Sequence, residues 1–171
     1  MAPVAAAPPV QFNAGGRLVE GKAAPEWGEQ LVGTKNHAAR QQAALALADL
    51  GEQGYPHLAA ALRSNSDELR LAGIQAIDKP TLLAHHREMI PLFIGMLRDR
   101  EPMIRRSAAA RLCWFGTAAQ AALRDLTEMA ASDPVPDIRE VARVSIDLIR
   151  NANAQPTRGV DPSKPPPVDS R

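Results

Sequence analysis

The stretch DREPMIRRSAAARLCWFG, residues 99–116, decides the fold. Ile104 precedes Arg105, and Ala108, Leu112 and Phe115 follow it at the third, seventh and tenth positions. Those offsets trace one face of a helix. The same outline recurs around Arg40, Arg70 and Arg139, so the four arginines lie 30, 35 and 34 residues apart. The position before each is Ala39, Leu69, Ile104 or Ile138. The third after it is Ala43, Gly73, Ala108 or Ala142, and the seventh is Leu47, Ile77, Leu112 or Ile146. At the tenth stand Leu50, Pro80, Phe115 and Ile149. Self-similarity at this period means that each repeat is one supersecondary unit that stacks on its neighbours to bury its apolar face.

Outward from these helices the spacing predicts four antiparallel helix pairs, with the arginine helix second in each. Second helices are expected over Lys35–Leu50, Asp67–Lys79, Pro102–Phe115 and Pro136–Asn151. Asn36, Ser66 and Asp133 suit helix caps, Pro102 suits a first turn, and Gly51 and Gly116 suit stops. The leading helices are expected over Pro25–Val32 and Thr117–Ala131 in the outer repeats, and around YPHLAAAL and IPLFIGML in the inner ones. An insertion of about five residues after Ile77, containing Lys79 and Pro80, lengthens the second interval and predicts a local kink.

The composition agrees with an all-α chain. Of 171 residues 45% are hydrophobic and only 4% aromatic, which favours close packing of small helical residues over a β-sandwich. Twenty basic against 19 acidic side chains leave a net charge of +1, without the global field that draws in nucleic acid or an anionic membrane. The lone cysteine, Cys113, excludes an internal disulfide and a CxxC site. Met1–Val10 is apolar but broken by Pro3, Pro8 and Pro9, so it reads neither as a signal peptide nor as a membrane span, and the chain reads as cytoplasmic. Three regions are expected: an extended, flexible Ala/Pro/Gly-rich arm over residues 1–23, the helical stack over 24–152, and an extended, flexible Pro-rich tail over 153–171.

DREPMIRRSAAARL followed by FG, and DPVPDIREVARVSI, resemble the HEAT-repeat family, in particular its short bacterial variety related to phycobilin lyases. The resemblance covers residues 24–152 and implies a right-handed α-solenoid whose second helices line the concave side. It also implies a ladder of hydrogen bonds through an acidic position six residues before each arginine. Here that position is Thr34, Ser64, Asp99 and Asp133, so the ladder is expected to be intact towards the C-terminus and weak at its start.

Catalytic and metal chemistry find little support in the residues. His85 and His86 are adjacent, so on a helix they point about 100° apart and cannot face one ion as an HExxH pair does. No Gly-rich phosphate loop or GxSxG motif occurs, and Cys113 has no histidine at a useful offset. Met89, Met96 and Met103, spaced by seven, read as packing. No cofactor, metal or enzymatic activity is expected.

The stronger candidate is a contact face. Trp114 stands where the other repeats have Asp49, Lys79 and Leu148, and it can pack over Arg111 one turn earlier. With Arg106 and Arg143 it would form an Arg/Trp patch of the kind enriched at binding hot spots; the alternative is that Trp114 fills space between the last two repeats. Trp27 with Leu31 is expected to seal the first repeat, and the arm bearing Phe12, Leu18 and Val19 to fold back on that end or dock on a partner. The resulting expectation is a protein-binding scaffold or accessory subunit of a larger assembly. Two alternatives stay open. One is nucleic-acid recognition through Arg98, Arg100, Arg105, Arg106 and Arg111; the other is a tetrapyrrole lyase or chaperone, which the resemblance brings with it.

Overall fold

Side-chain oxygens start several of the helices, where the backbone leaves four N–H groups unpaired. Asn36 accepts from the Ala39 amide at 3.1 Å, Ser66 from Leu69 at 3.4 Å and Asp78 from Thr81 at 2.9 Å. This computed structural model describes the backbone of residues 11–13 and 16–152 and the side chains of residues 17–152. A hairpin of β1 (Gln11–Asn13) and β2 (Gly16–Leu18) comes first. Then come α1 (Ala24–Gly33), α2 (His37–Asp49), α3 (Tyr55–Leu62), α4 (Asp67–Ala76) and α5 (Lys79–Ala84). The last are α6 (His86–Met96), α7 (Pro102–Leu112), α8 (Leu123–Ser132) and α9 (Pro136–Asn151).

Pairs α1/α2, α3/α4, α6/α7 and α8/α9 are the four repeats, and α2, α4, α7 and α9 pack in succession as one layer. The chain is an all-α solenoid. Its core is the arginine-phased stripe: Leu47, Ile77, Leu112 and Ile146 are buried, as are Ala43, Gly73, Ala108 and Ala142. Fully burying a Leu or Ile side chain contributes about 1.5–3 kcal/mol, so this stripe carries much of the stack's cohesion. Small residues set the spacing. A Cβ on Gly54 would lie 1.9 Å from the Leu47 carbonyl oxygen, so only glycine fits where α3 starts beneath α2.

The elements depart from the sequence expectations in four places. The second repeated helix stops at Ala76 rather than Lys79, because Ile77 is extended (ψ 126°) and Asp78 caps a new helix. The insertion is therefore α5, with Pro80 exposed and Leu82 fully buried in the core. The third repeated helix stops at Leu112. Beyond it, Cys113–Ala122 tightens into 3-10 turns broken at Gly116 (φ 54°, ψ −133°), a left-handed conformation that favours glycine. The expected helix over Thr117–Ala131 is thus a 3-10 stretch leading into α8. Finally, α6 begins at His86, which leaves Pro91 inside the helix on its exposed side.

The segment ahead of the first repeat, read from sequence as an extended arm, contains β1 and β2 paired antiparallel with Gln11 opposite Leu18. A tight turn follows β2, in which Val19 and Lys22 exchange two backbone hydrogen bonds of 3.0 Å. Glu20 (φ 49°) and Gly21 (φ 76°) hold the two left-handed positions of that turn. Its underside packs on the first repeat. Trp27 Nε1 donates to the Val19 carbonyl at 3.0 Å, the Lys22 ammonium lies 4.3 Å over the indole, and Trp27 and Leu31 are both 1% exposed. The Pro-rich tail and the Phe12 side chain lie outside the described residues.

Candidate interaction face

The repeated arginines are the chain's internal fasteners. Each donates from its guanidinium to the backbone carbonyl six residues earlier: Arg40 to Thr34 (2.6 Å), Arg70 to Ser64 (2.9 Å), Arg105 to Asp99 (2.9 Å) and Arg139 to Asp133 (2.6 Å). Two also reach the next repeat. Arg70 donates from Nε and Nη2 to both oxygens of Asp99 at 2.8 and 3.0 Å, and Arg105 does the same to Asp133 at 2.8 and 3.2 Å. The bidentate geometry matches guanidinium to carboxylate and is the strong form of such a bond. The Asp133 side chain is only 4% exposed, and the hydrogen bonds from Arg105 hold its carboxyl below the usual range against the opposing effect of burial.

The acidic position has a second duty that all four residues perform. Thr34, Ser64, Asp99 and Asp133 each accept, through a side-chain oxygen, from the backbone amide two residues on, at 2.9–3.1 Å. Thr34 and Ser64 therefore keep the turn but offer no carboxylate. The cost shows at Arg40, whose Nε is buried without a hydrogen-bond partner.

Arg111 and Trp114 come together as the sequence suggested, with the guanidinium carbon 4.3 Å over the indole ring. Arg111 is also spoken for: it donates to the carbonyl oxygens of Ile74 (3.1 and 2.9 Å) and Gln75 (3.1 Å), which the last turn of α4 leaves unpaired. Burial lowers the pKa of its guanidinium. Arg106 and Arg143 find separate partners: Arg106 bonds Asp137 of α9 at 2.6 Å, and Arg143 bonds Glu140 at 3.0 Å and the Ala130 carbonyl at 3.3 Å. Arg143 stands four positions after its repeat arginine, where Ala44, Ile74 and Ala109 are fully buried in the other repeats.

The layer of second helices also carries exposed apolar side chains that sequence reading missed. Large side chains exposed on the second helices are Leu45 on α2, Met103 on α7, and Val144 and Leu148 on α9. Leu45 and Val144 occupy the same place in their repeats, five after the arginine, with Gln75 and Ala110 between them. Met103 had been read as packing. It lies instead on the solvent side of the first turn of α7, while Met89 and Met96 are buried. The signal was in the sequence, since offsets five and nine point away from the core stripe, but it emerges only when all four repeats are aligned.

The histidine cluster has structural work to do. His85 stacks on Tyr55 with ring centroids 3.5 Å apart and lies 3.3 Å from Glu52. Glu88 accepts from Tyr55 Oη at 2.5 Å and pairs with Arg63, contacts that lower its carboxyl pKa; Tyr55 shifts upward through burial and the same bond. These contacts tie the second repeat to the third across α5. Cys113 Sγ donates to the Ala110 carbonyl at 3.0 Å, and burial raises its thiol pKa. Among the described residues no helix is long and apolar enough to cross a membrane, and no three His, Cys, Asp or Glu side chains gather around a common point.

No curated protein matches the chain. A family model for HEAT repeats matches residues 55–147, more than half of the chain, and spans the two intact arginine–aspartate rungs. With the stacked helix pairs and their phased arginines, that match places the protein in the HEAT-repeat family.

Proposed function

We propose that this protein is a non-enzymatic interaction module, a scaffold or accessory subunit of a larger assembly, which holds another protein along the layer formed by α2, α4, α7 and α9. Repeats of this family generally mediate contacts between proteins. The observation that carries the reading here is the set of apolar side chains that this layer leaves in solvent, Leu45, Met103, Val144 and Leu148, together with the Arg111–Trp114 stack. Apolar side chains left in solvent on one layer suit a protein partner, and an aromatic ring already fixed by a guanidinium loses little conformational freedom on binding.

The charge distribution favours a protein over a nucleic acid as the occupant. Each arginine of the basic run is engaged within the chain. Arg98 pairs with Asp125 and Glu128, Arg100 with Asp67, Arg105 with Asp133 and Arg106 with Asp137, while Arg111 holds carbonyls. A phosphate backbone would have to displace those partners.

The test is affinity capture from the native cell with tagged wild type beside Trp114→Ala, Val144→Asp and, as a control on the opposite layer, Val32→Asp. One or a few stoichiometric partners retained by wild type and Val32→Asp but lost by the other two variants, each as helical as wild type, supports the reading. Trp114→Ala is expected to weaken capture by about 1–3 kcal/mol. Partners held equally by all four proteins would move the site elsewhere, and salt-sensitive retention of duplex DNA would replace the protein partner with nucleic acid.

A further inference from the structure

The ladder lacks one acid, and the residue in its place is a serine. Arg70 and Arg105 take the carbonyl six residues back with Nη1, which leaves the Nε–Nη2 edge of the guanidinium to the aspartate of the next repeat. The repeat puts the acid of Arg40 at Ser64. Arg40 turns instead: Nη2 takes the Thr34 carbonyl at 2.6 Å, and Nε is enclosed with no hydrogen-bond partner among the described residues. Enclosure is the ordinary setting of a rung, since the Arg70 and Asp99 side chains are only 13% and 8% exposed around their pair.

Ser64 is placed to acquire the missing charge. It lies in the turn of residues 63–66 between α3 and α4, half-buried, with Arg63 and Asn65 exposed on either side. Its Oγ accepts from the Ser66 amide at 3.1 Å, and its hydroxyl hydrogen goes to no acceptor among the described residues. Arg40 stands beside this turn: the Glu68 carboxyl is held below the usual range by the Ser66 hydroxyl, its own amide and the Arg40 charge. Of the other arginines around the turn, Arg63 pairs with Glu88, Arg70 with Asp67 and Asp99, and Arg100 with Asp67. Arg40 alone among them bonds no carboxylate among the described residues.

We propose that Ser64 is a phosphorylation site and that its phosphate closes the rung to Arg40, locking the first repeat onto the second. In the transfer, Ser64 Oγ bonds to the terminal phosphorus of a nucleoside triphosphate as the bridging P–O bond breaks. The nucleoside diphosphate leaves, and the hydroxyl proton passes to the base of a serine kinase. The product carries a charge of about −1.5 to −2 and three acceptor oxygens, which lie one bond farther from the backbone than those of an aspartate. Two of them match the paired N–H groups of a guanidinium edge. Thr34 gains no rung from the same change, because no repeat arginine precedes it. The inference stands on the ladder, independently of the partner proposed above.

The full chain with phosphoserine introduced at position 64 during translation tests the rung against the unmodified chain. Amide exchange in α1 and α2 is expected to slow by about tenfold, the scale of one hydrogen bond to a charged group, and Arg40→Met should abolish the effect. The second ionisation of the phosphate, followed by its phosphorus resonance, should fall in the folded chain relative to the same chain in urea, and recover in Arg40→Met. Circular dichroism checks the helix content of each protein. An unchanged ionisation, or slowing that survives Arg40→Met, would overturn the rung, and so would an equal slowing from phosphoserine at position 66, which adds charge at the start of α4 alone. Mass spectrometry of the chain from native cells, in growth and in starvation, is expected to find phosphate on Ser64; its absence from both would overturn the site.

Discussion

Arg105 and Asp133, 28 residues apart in sequence, share two hydrogen bonds of 2.8 and 3.2 Å in a setting where the arginine side chain is 11% and the aspartate 4% exposed. Each also binds backbone: Arg105 the Asp99 carbonyl, Asp133 the Val135 amide. The pair therefore joins the last two repeats and shapes the loops of both.

Asp133→Asn keeps the turn and removes the charge. Breaking a buried pair by altering one partner typically costs about 3–5 kcal/mol, because the other charge stays buried. A drop of that size in stability measured by urea unfolding checks this. A change within about 0.5 kcal/mol of wild type would mean that water reaches Arg105.

The same pair sets an acid-side pH dependence. Asp133 is depressed in the folded state, chiefly by Arg105, so the unfolded chain takes up a proton first as pH falls. The stability it contributes is complete above the ordinary carboxylate value of about 4 and is lost as pH falls from there through the depressed value. Unfolding followed between neutral pH and the acid limit should show a shallower acid slope in Asp133→Asn than in wild type.

Ser64→Asp should supply the rung that Arg40 lacks. Asp99 and Asp133 show that a carboxylate at this position can cap the turn and accept the preceding repeat's arginine together. A gain of about 1–2 kcal/mol is expected, in the range of hydrogen bonds to charged groups. The double variant Ser64→Asp/Arg40→Met should lose that gain.

Arg111→Ala separates fold from binding. Its donors hold the Ile74 and Gln75 carbonyls, so its loss is expected to destabilise by about 1–3 kcal/mol, and hydrogen exchange should quicken at the end of α4. Trp114→Ala, by contrast, should leave the exchange of α4 near wild type. Equal effects in both variants would make the stack a packing element alone.

Arg143→Leu is expected to create an association surface. The equivalent positions Ala44, Ile74 and Ala109 are buried, whereas Arg143 keeps the outer face of the terminal repeat polar. Sedimentation should show the variant heavier than wild type at matched concentration.

The repeat phase was legible because an arginine and its small-residue partner recur whatever the loops do, and α9 spans the residues expected, Pro136–Asn151. Asn36 had been identified as a cap, which correctly implies a start at His37 rather than Lys35. α5 was missed although Asp78, Pro80 and Thr81 spell a helix start, because a six-residue helix has too few turns to show periodicity. The Glu20–Gly21 turn is a hairpin signal of the Asp-Gly kind, masked by the Gly-rich stretch before it. Of the candidate face, the Arg111–Trp114 stack was readable one helical turn apart. The carbonyls that Arg111 holds lie 36 and 37 residues away, where no local spacing points to them.

Arg40, with its unanswered Nε, gives the molecule a mechanical polarity. Two ionic clasps tie the second repeat to the third and the third to the fourth, while among the described residues no salt bridge joins α2 to α4. The joint between α2 and α4 is therefore where the stack is expected to open first, which amide exchange faster in α1 and α2 than in α7 and α9 would show.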